Sequence, residues 1–281
     1  MSSLASPAAV AAVPIWYHTL ELPGGVVTPG WFDLRAVADR LPWPDVRGKR
    51  CLDVATYDGF FAFELERRGA AEVVAIDIPD HEDWDWPAAA RAAGGPTLAT
   101  MAGEKGRGFE VAHAALGSRV RKQVLSTYHL APDTIGEFDV VVCGSLMLHL
   151  RDPVRALEAI RSVCTGQFLS IEEISLPLTL ALSRRPVAEM RFDERRCQWW
   201  VANLAGHRRM LEIAGFEVEV ASGPFGEPFG PAHPAAGKRL PRSPRELGMR
   251  ALRRAMTGEA LGVPHAALLA HPRLQAPPIR L

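Results

Sequence analysis

The sequence predicts a doubly wound α/β fold with a seven-stranded, mostly parallel sheet, and three observations carry that prediction. Short apolar segments alternate with helical ones through the middle of the chain, as expected for strands joined by right-handed crossovers. The most hydrophobic of them, FDVVVCG (138–144), reads as a central strand covered on both faces. Helix-ending glycines (Gly69, Gly215) and a helix-starting Asp152-Pro153 pair fall where those segments change type.

The elements follow in order. MSSLASPAAVAAVP has no Lys or Arg before its small apolar run, so it reads as a frayed terminus and not as a signal peptide. Residues 1–45 form a lid or strap segment, because Trp16, Tyr17, Trp31 and Phe32 are otherwise hard to account for before the first strand. KRCLDVA (49–55) is that strand, and GFFAFELERRG (59–69) is a helix with Arg67 and Arg68 in its last turn. EVVAID (72–77) is the second strand. A Trp- and Asp-rich turn leads to helices over 88–93 and 109–116, then to a third strand, VRKQVLS (120–126).

After the fourth strand, Asp152 caps the helix PVRALEAIRSVC, and QFLSIEEI (167–174) is the fifth strand. A long helix is expected to start at Trp199 and Trp200 and to run to Ala214. FEVEVA (216–221) alternates like a strand, and 222–245 is a Pro/Gly-rich insertion. A basic helix (246–256) and a last strand, HAALLAHP (265–272), complete one domain over 46–281.

Composition narrows the function. Hydrophobic residues at 48% and charged residues at 23% suit a soluble protein, and no apolar run approaches the roughly 20 residues that span a bilayer, so no membrane partner is expected. The 4 cysteines form no CxxC pair and no His stands at zinc spacing; reduced thiols in a cytoplasmic protein without a metal are expected. Lys plus Arg equals Asp plus Glu at 32 each, so no global field gathers nucleic acid. The basic stretch Lys238–Arg254 reads as a solvated loop and helix face, with an RNA surface as the alternative.

Ligands of doubly wound sheets bind beyond the carboxyl ends of the strands, which makes the loop DVATYDGFF (53–61) central. Gly59 opens a helix whose N-terminus favours a carboxylate, and Asp77 ends the second strand, where an acidic side chain accepts hydrogen bonds from a ribose diol. Of the alternating positions Ala55, Tyr57 and Gly59, a single one is glycine, and Tyr57 would obstruct a pyrophosphate. Hydride transfer with a dinucleotide is therefore the weaker reading.

DVATYDGFFAFELERRGAAEVVAID resembles the first two motifs of class I S-adenosylmethionine-dependent methyltransferases, with Ala55 at the first glycine of the pattern. The resemblance implies a Rossmann-like sheet whose last strand is antiparallel, and S-adenosyl-L-methionine as cofactor. It assigns Asp53, Ala55, Thr56, Tyr57, Gly59, Asp77 and Ile78 to the cofactor, with Ser126 and Thr127 at the adenine and Cys143, Gly144 and Ser145 along the methionine. IWYHTLELPGGVVTPGWFDL, LMLHLRDP and CQWWVANLAGHRRMLEIAGF further resemble the wobble-uridine tRNA carboxymethyltransferase family and its small-molecule relatives. That family holds an extra cofactor carboxylate with a lysine and a tyrosine, whose places are taken here by His18 and Trp199. Losing those charge-assisted contacts, roughly 1.5–3 kcal/mol each, favours ordinary S-adenosylmethionine.

Methyl transfer to a hydroxyl gains from a general base, and His149, Glu172 and His18 are the candidates. His149 could equally cap the helix at Asp152, and alternation along the fifth strand sends one of Glu172 and Glu173 toward the pocket. Trp16 and Tyr17 of the strap are expected at the cofactor. Glu173, Arg196, Trp199 and Trp200 are expected around the acceptor, with Arg191 a further cation for an anionic one. The leading expectation is O-methylation of a small molecule such as a natural product or sugar. tRNA modification and a non-catalytic cofactor-binding protein are the alternatives.

Overall fold

The computed structural model describes residues 6–92, 105–193, 197–236, 243–258 and 261–273. The N-terminal segment holds four short strands, β1 (Trp16–His18), β2 (Glu21–Leu22), β3 (Val26–Val27) and β4 (Gly30–Phe32). The first strands of the main sheet follow as β5 (Arg50–Val54), β6 (Glu72–Asp77), β7 (Arg121–Val124), β8 (Phe138–Gly144) and β9 (Cys164–Glu173). β10 (Ala188–Asp193) and β11 (Gln198–Ala202) form a separate hairpin, and β12 (Phe216–Ala221), β13 (Phe225–Glu227) and β14 (Val263–Pro272) complete the set.

The main sheet has the order β12-β14-β9-β8-β5-β6-β7, with β13 also paired to β14. β5 to β9 pair in parallel, whereas β14 runs antiparallel to β9, β12 and β13. The expected sheet is present with its antiparallel last strand. It gains β13 as an eighth strand, because FGE inside the Pro/Gly-rich insertion finds the exposed edge of β14. Strand order runs outward in both directions from β5 and β8, so the crevice of the fold opens above their carboxyl ends.

Local chemistry starts and stops the helices. Asp152 accepts from the Arg155 N–H at 3.1 Å, and Pro153 begins the helix Pro153–Val163. Gly117, at φ 60°, ends the helix Arg107–Leu116 in a left-handed turn.

The long helix expected from Trp199 is corrected by the structure. Gln198–Ala202 is a strand instead, because consecutive Trp, Trp and Val fit a pleated surface better than a helix turn. The helix begins at Leu204, where Asn203 caps it by accepting from the Gly206 N–H at 2.7 Å. The expected helix over 88–93 is seen as Ala88–Ala92; Ala93 lies outside the described residues.

The N-terminal strap is built into the core. Val10, Val13, Trp16, Leu20 and Leu22 are buried in one cluster with Phe60, Phe63 and Phe109, on one face of the sheet. A second cluster, around Leu157, Ile160, Leu211 and Phe216, covers the other face. Backbone bonds from Gly230 to Trp31 and from Ala232 to Gly30 fasten the insertion onto the strap. No helix among the described residues is long and apolar enough to cross a membrane.

Candidate functional site

The loop after β5 has the backbone of a glycine-rich turn with a single glycine in it. Ala55 (φ 60°), Tyr57 (φ 50°) and Gly59 (φ 95°) are all left-handed, at the alternating positions seen in the sequence. Each non-glycine residue in that region costs roughly 1–2 kcal/mol, a strain concentrated at a ligand-facing loop. A Cβ on Gly59 would run into the rings of Phe63 and Phe109, so close packing as well as φ keeps this position bare.

Asp53 anchors the loop from below. Its Oδ2 accepts from the Ala62 N–H at 3.0 Å, and burial pushes the carboxyl up to about 7. Asp53, Thr56 and Gly59 shape the turn and do not line the cleft above it, unlike Ala55 and Tyr57.

Asp77 stands at the end of β6 and reaches across to the first loop. Its Oδ2 accepts from the Tyr57 N–H at 2.9 Å and its Oδ1 from the Ile78 N–H at 2.8 Å. Lys105, nearly buried, forms an ion pair with Oδ1 and donates to the Ile78 carbonyl at 2.9 Å. Burial lowers the Lys105 pKa, against the opposing pull of Asp77. One carboxylate thus fixes two loops and keeps acceptor capacity on Oδ2, because each oxygen takes two hydrogen bonds.

These loops wall a cleft of about 940 Å³, its open mouth included. Ala55, Tyr57, Asp77 and Ile78 form one end, and Leu125, Ser126, Thr127 and Tyr128 flank it. Gly144, Ser145, Leu146, His149 and Leu150 form the far wall, with Trp84 and Asp85 beside them and Tyr17 and His18 from the strap. Cys143 points away from the cleft into the second core cluster, where burial raises its thiol pKa well above the ordinary value. The expectation that it lines the site is corrected: along a strand, the neighbour of the cleft-lining Gly144 faces the other side.

His149 sits in the cleft with its Nδ1–H donating to the Cys197 carbonyl at 2.9 Å. That bond fixes the tautomer, so the basic nitrogen of the neutral ring is Nε2. Cys197 is itself left-handed (φ 48°) at the turn into β11. Trp84 packs its ring 5.8 Å from that of His149.

Glu172 is buried and braces this loop from beneath, accepting from the Leu146 and Met147 N–H groups at 3.3 and 3.1 Å. Burial pushes its carboxyl up to about 8. Expected in the pocket, it is instead absent from the cleft lining and holds the backbone of the loop that carries His149. Glu173, on the opposite face of β9, pairs with Arg191 at 2.7 Å.

Trp199 and Trp200 support the wall from behind instead of lining it. Their indole N–H groups donate to the carbonyls of Asp85 and Leu150, both cleft residues, at 2.8 and 2.9 Å. Arg196 lies outside the described residues.

Asp58 joins the strap to the first loop. It accepts from the N–H groups of Tyr17 and His18, each at 2.8 Å, and from His18 Nδ1 at 2.5 Å. Burial lowers the His18 pKa, but the Asp58 carboxylate outweighs it, and the net shift is upward. Trp16 is 2% exposed and donates to the Val10 carbonyl at 3.0 Å, so it belongs to the core of the strap and not to the cleft. Asp58 and Lys105 escaped the sequence reading; an acidic residue inside an otherwise small-residue loop is the signal for the first, and no local pattern marks the second.

The chain matches the methyltransferase domain family over residues 33–220, about two thirds of its length. It is similar to a tRNA U34 carboxymethyltransferase of Campylobacter hominis, 26% identical over 43% of this chain and 34% of that protein. It is also similar to a ubiquinone biosynthesis O-methyltransferase of Neisseria meningitidis serogroup C, 30% identical over 41% of this chain and 39% of that one. Both matches therefore span well under half of the relative's length. Among solved structures, an S-adenosylmethionine-dependent methyltransferase from Mesorhizobium loti aligns with 84% of this chain and 94% of its own, at 16% identity and a TM-score of 0.45.

Proposed function

The chain belongs to the methyltransferase domain family, an enzyme family whose cofactor here is S-adenosyl-L-methionine, and on that premise we propose O-methylation of a small-molecule hydroxyl. The cofactor supplies an electrophilic methyl group. Asp77 suits its ribose through the remaining acceptor capacity of Oδ2, and the turn through Ala55 and Tyr57 would offer backbone to its methionine part. Ser126 and Thr127, which line the cleft, would hold the adenine, and Gly144 would leave room for the methionine part, having no side chain.

The observation that carries the acceptor class is His149, a cleft imidazole whose tautomer is fixed by the Cys197 carbonyl. The His149 imidazole, in the same cleft wall as Leu146 and Leu150 and packed against Trp84, suits orienting the hydroxyl of an apolar or planar acceptor. Replacing His149 by alanine is expected to lower kcat by about 100-fold at neutral pH while S-adenosylhomocysteine affinity stays within about twofold. Steady-state kinetics with isothermal calorimetry checks this; an unchanged kcat removes His149 from the chemistry.

Two observations favour a donor with a plain methyl group over one whose transferred group carries an extra carboxylate. The buried Asp58 carboxylate already occupies the imidazole of His18, so a second carboxylate there would meet like charge. Trp199 stands behind the wall, bonded to Asp85. The basic stretch also offers little to RNA: Arg250 pairs with Glu246 at 2.7 Å, and Arg253 donates to the Gly262 carbonyl at 3.1 Å. Arg254 is exposed, while Lys238, Arg239 and Arg242 lie outside the described residues. Cytoplasmic residence is part of the same proposal, supported by four buried, unpaired thiols.

A further inference from the structure

A second polar chain opens on the cleft at Ser145, and no sequence motif marks its two buried partners. Ser145 lines the cleft in a left-handed conformation (φ 54°), and its N–H is tied to the Ile171 carbonyl at 2.7 Å. Its Oγ lies 2.8 Å from His265 Nε2. His265 is 2% exposed, and its Nδ1–H donates to the Val263 carbonyl at 3.0 Å, so Nε2 is the nitrogen that faces the serine. Glu227 Oε2 is 3.2 Å from the same Nε2, and Glu227 is 3% exposed.

Three separate elements build this arrangement. Ser145 follows β8, His265 begins β14, and Glu227 ends β13, the strand contributed by the insertion. The register of β13 on β14 pairs Phe225 with His265, and the Phe225 ring stacks 6.1 Å from the imidazole. Hydrogen bonds offset the burial of this polar group, and the left-handed backbone of Ser145 is a strain of the kind that collects at functional sites.

We propose that Ser145, backed by His265 and Glu227, is a proton relay for the acceptor hydroxyl. This deepens the O-methylation reading and rests on it. The acceptor O–H bond breaks toward Ser145 Oγ while the electron pair stays on the acceptor oxygen. The proton of Ser145 passes to His265 Nε2, and Glu227 balances the imidazolium so formed. The proton returns through Ser145 to water once the product has left. Ser145 would touch the acceptor; His265 and Glu227 are positioning residues that act through it.

The charged and titratable groups around His265 come from every neighbouring element. Glu173 is its register partner on β9, His207 approaches from the helix Leu204–Ile213, and His18 and Tyr17 face Glu227 from the strap. Burial raises the Glu227 pKa, against His265 and His18, which pull it down.

The test needs no acceptor. Phenylmethanesulfonyl fluoride is applied to the full, cofactor-free protein, and the adduct is located by peptide mass spectrometry between pH 5 and 9. An adduct at Ser145 is expected, with a rate that rises with pH through one titration. His265→Gln is expected to slow it at least 10-fold. Glu227→Gln is expected to move the titration to lower pH and to reduce the plateau, because the imidazolium loses its counter-charge; a purely structural glutamate would not move that profile. No adduct at Ser145, or rates and profiles unchanged in both variants, would overturn the proposal. Calorimetry with S-adenosylhomocysteine on each protein keeps the two readings apart. Lack of binding by the wild type would count against the methyltransferase reading, whereas retained binding in the variants shows that the cleft is intact.

Discussion

Replacing Asp77 by alanine is expected to weaken S-adenosylhomocysteine binding by roughly 10²- to 10⁴-fold, the largest single effect on the cofactor. Two hydrogen bonds from a ribose diol to a carboxylate are worth roughly 1.5–3 kcal/mol each, which sets that range. The same change also frees the Tyr57 and Ile78 N–H groups and leaves Lys105, with a side chain 3% exposed, without its counter-charge. Asp77→Asn separates these contributions. It keeps one acceptor oxygen for the loops but loses the charge, so its affinity should fall between those of wild type and Asp77→Ala. Calorimetric titration measures both, and an affinity within threefold of wild type in Asp77→Ala would remove the carboxylate from the cofactor site.

The second large effect concerns stability. Asp58→Ala breaks the buried contact to His18 and strands the Tyr17 and His18 N–H groups, which together should cost about 3–5 kcal/mol. Residues 14–32 should then lose hydrogen-exchange protection before the sheet does, because the parallel pairing of β1 with β4 hangs on that anchor.

The His18–Asp58 pair also predicts a pH dependence. The folded-state pKa of His18 is raised, so the pair's contribution is fully present below the unfolded value of about 6.5. It is lost as pH rises through the folded value. Denaturant unfolding should show that component of stability declining above about pH 6.5 in wild type and absent in Asp58→Ala. A pH dependence unchanged by the substitution would place the strap's anchor elsewhere.

Much of the fold was legible because strand–helix alternation is a local signal. FDVVVCG announced a buried central strand, and Asp77 announced the end of another, from residue type and spacing alone. The WWVA segment was misread because two tryptophans before an amphipathic helix fit a helix start as well as a strand; Asn203, the actual cap, was the decisive residue. Glu172 and Trp199 stood on the functional rim in the sequence, yet they support the cleft from behind. Which side a rim residue faces depends on packing between loops, which periodicity does not encode. Lys105, and the link from Ser145 to His265 and Glu227, were invisible for a related reason. These partners lie far apart in the chain and meet only in the tertiary fold.

The left-handed loop illustrates how a motif persists in backbone form. Ala55 replaces the first glycine of the expected pattern and Tyr57 is left-handed as well, yet the turn keeps its φ angles because Asp77, from the neighbouring strand, holds the Tyr57 N–H. Tertiary hydrogen bonding thus offsets a local strain that sequence inspection would count against the motif.

The central claim, methyl transfer to a small-molecule hydroxyl, is tested most directly by incubating the protein and a cell extract with S-adenosylmethionine labelled in its methyl group. Mass spectrometry then follows the label into the small-molecule and RNA fractions. The account predicts label in a low-molecular-weight product as a methyl ether, dependent on His149 and Asp77. Label confined to tRNA, or transferred to no acceptor by a protein that binds S-adenosylhomocysteine, would contradict it.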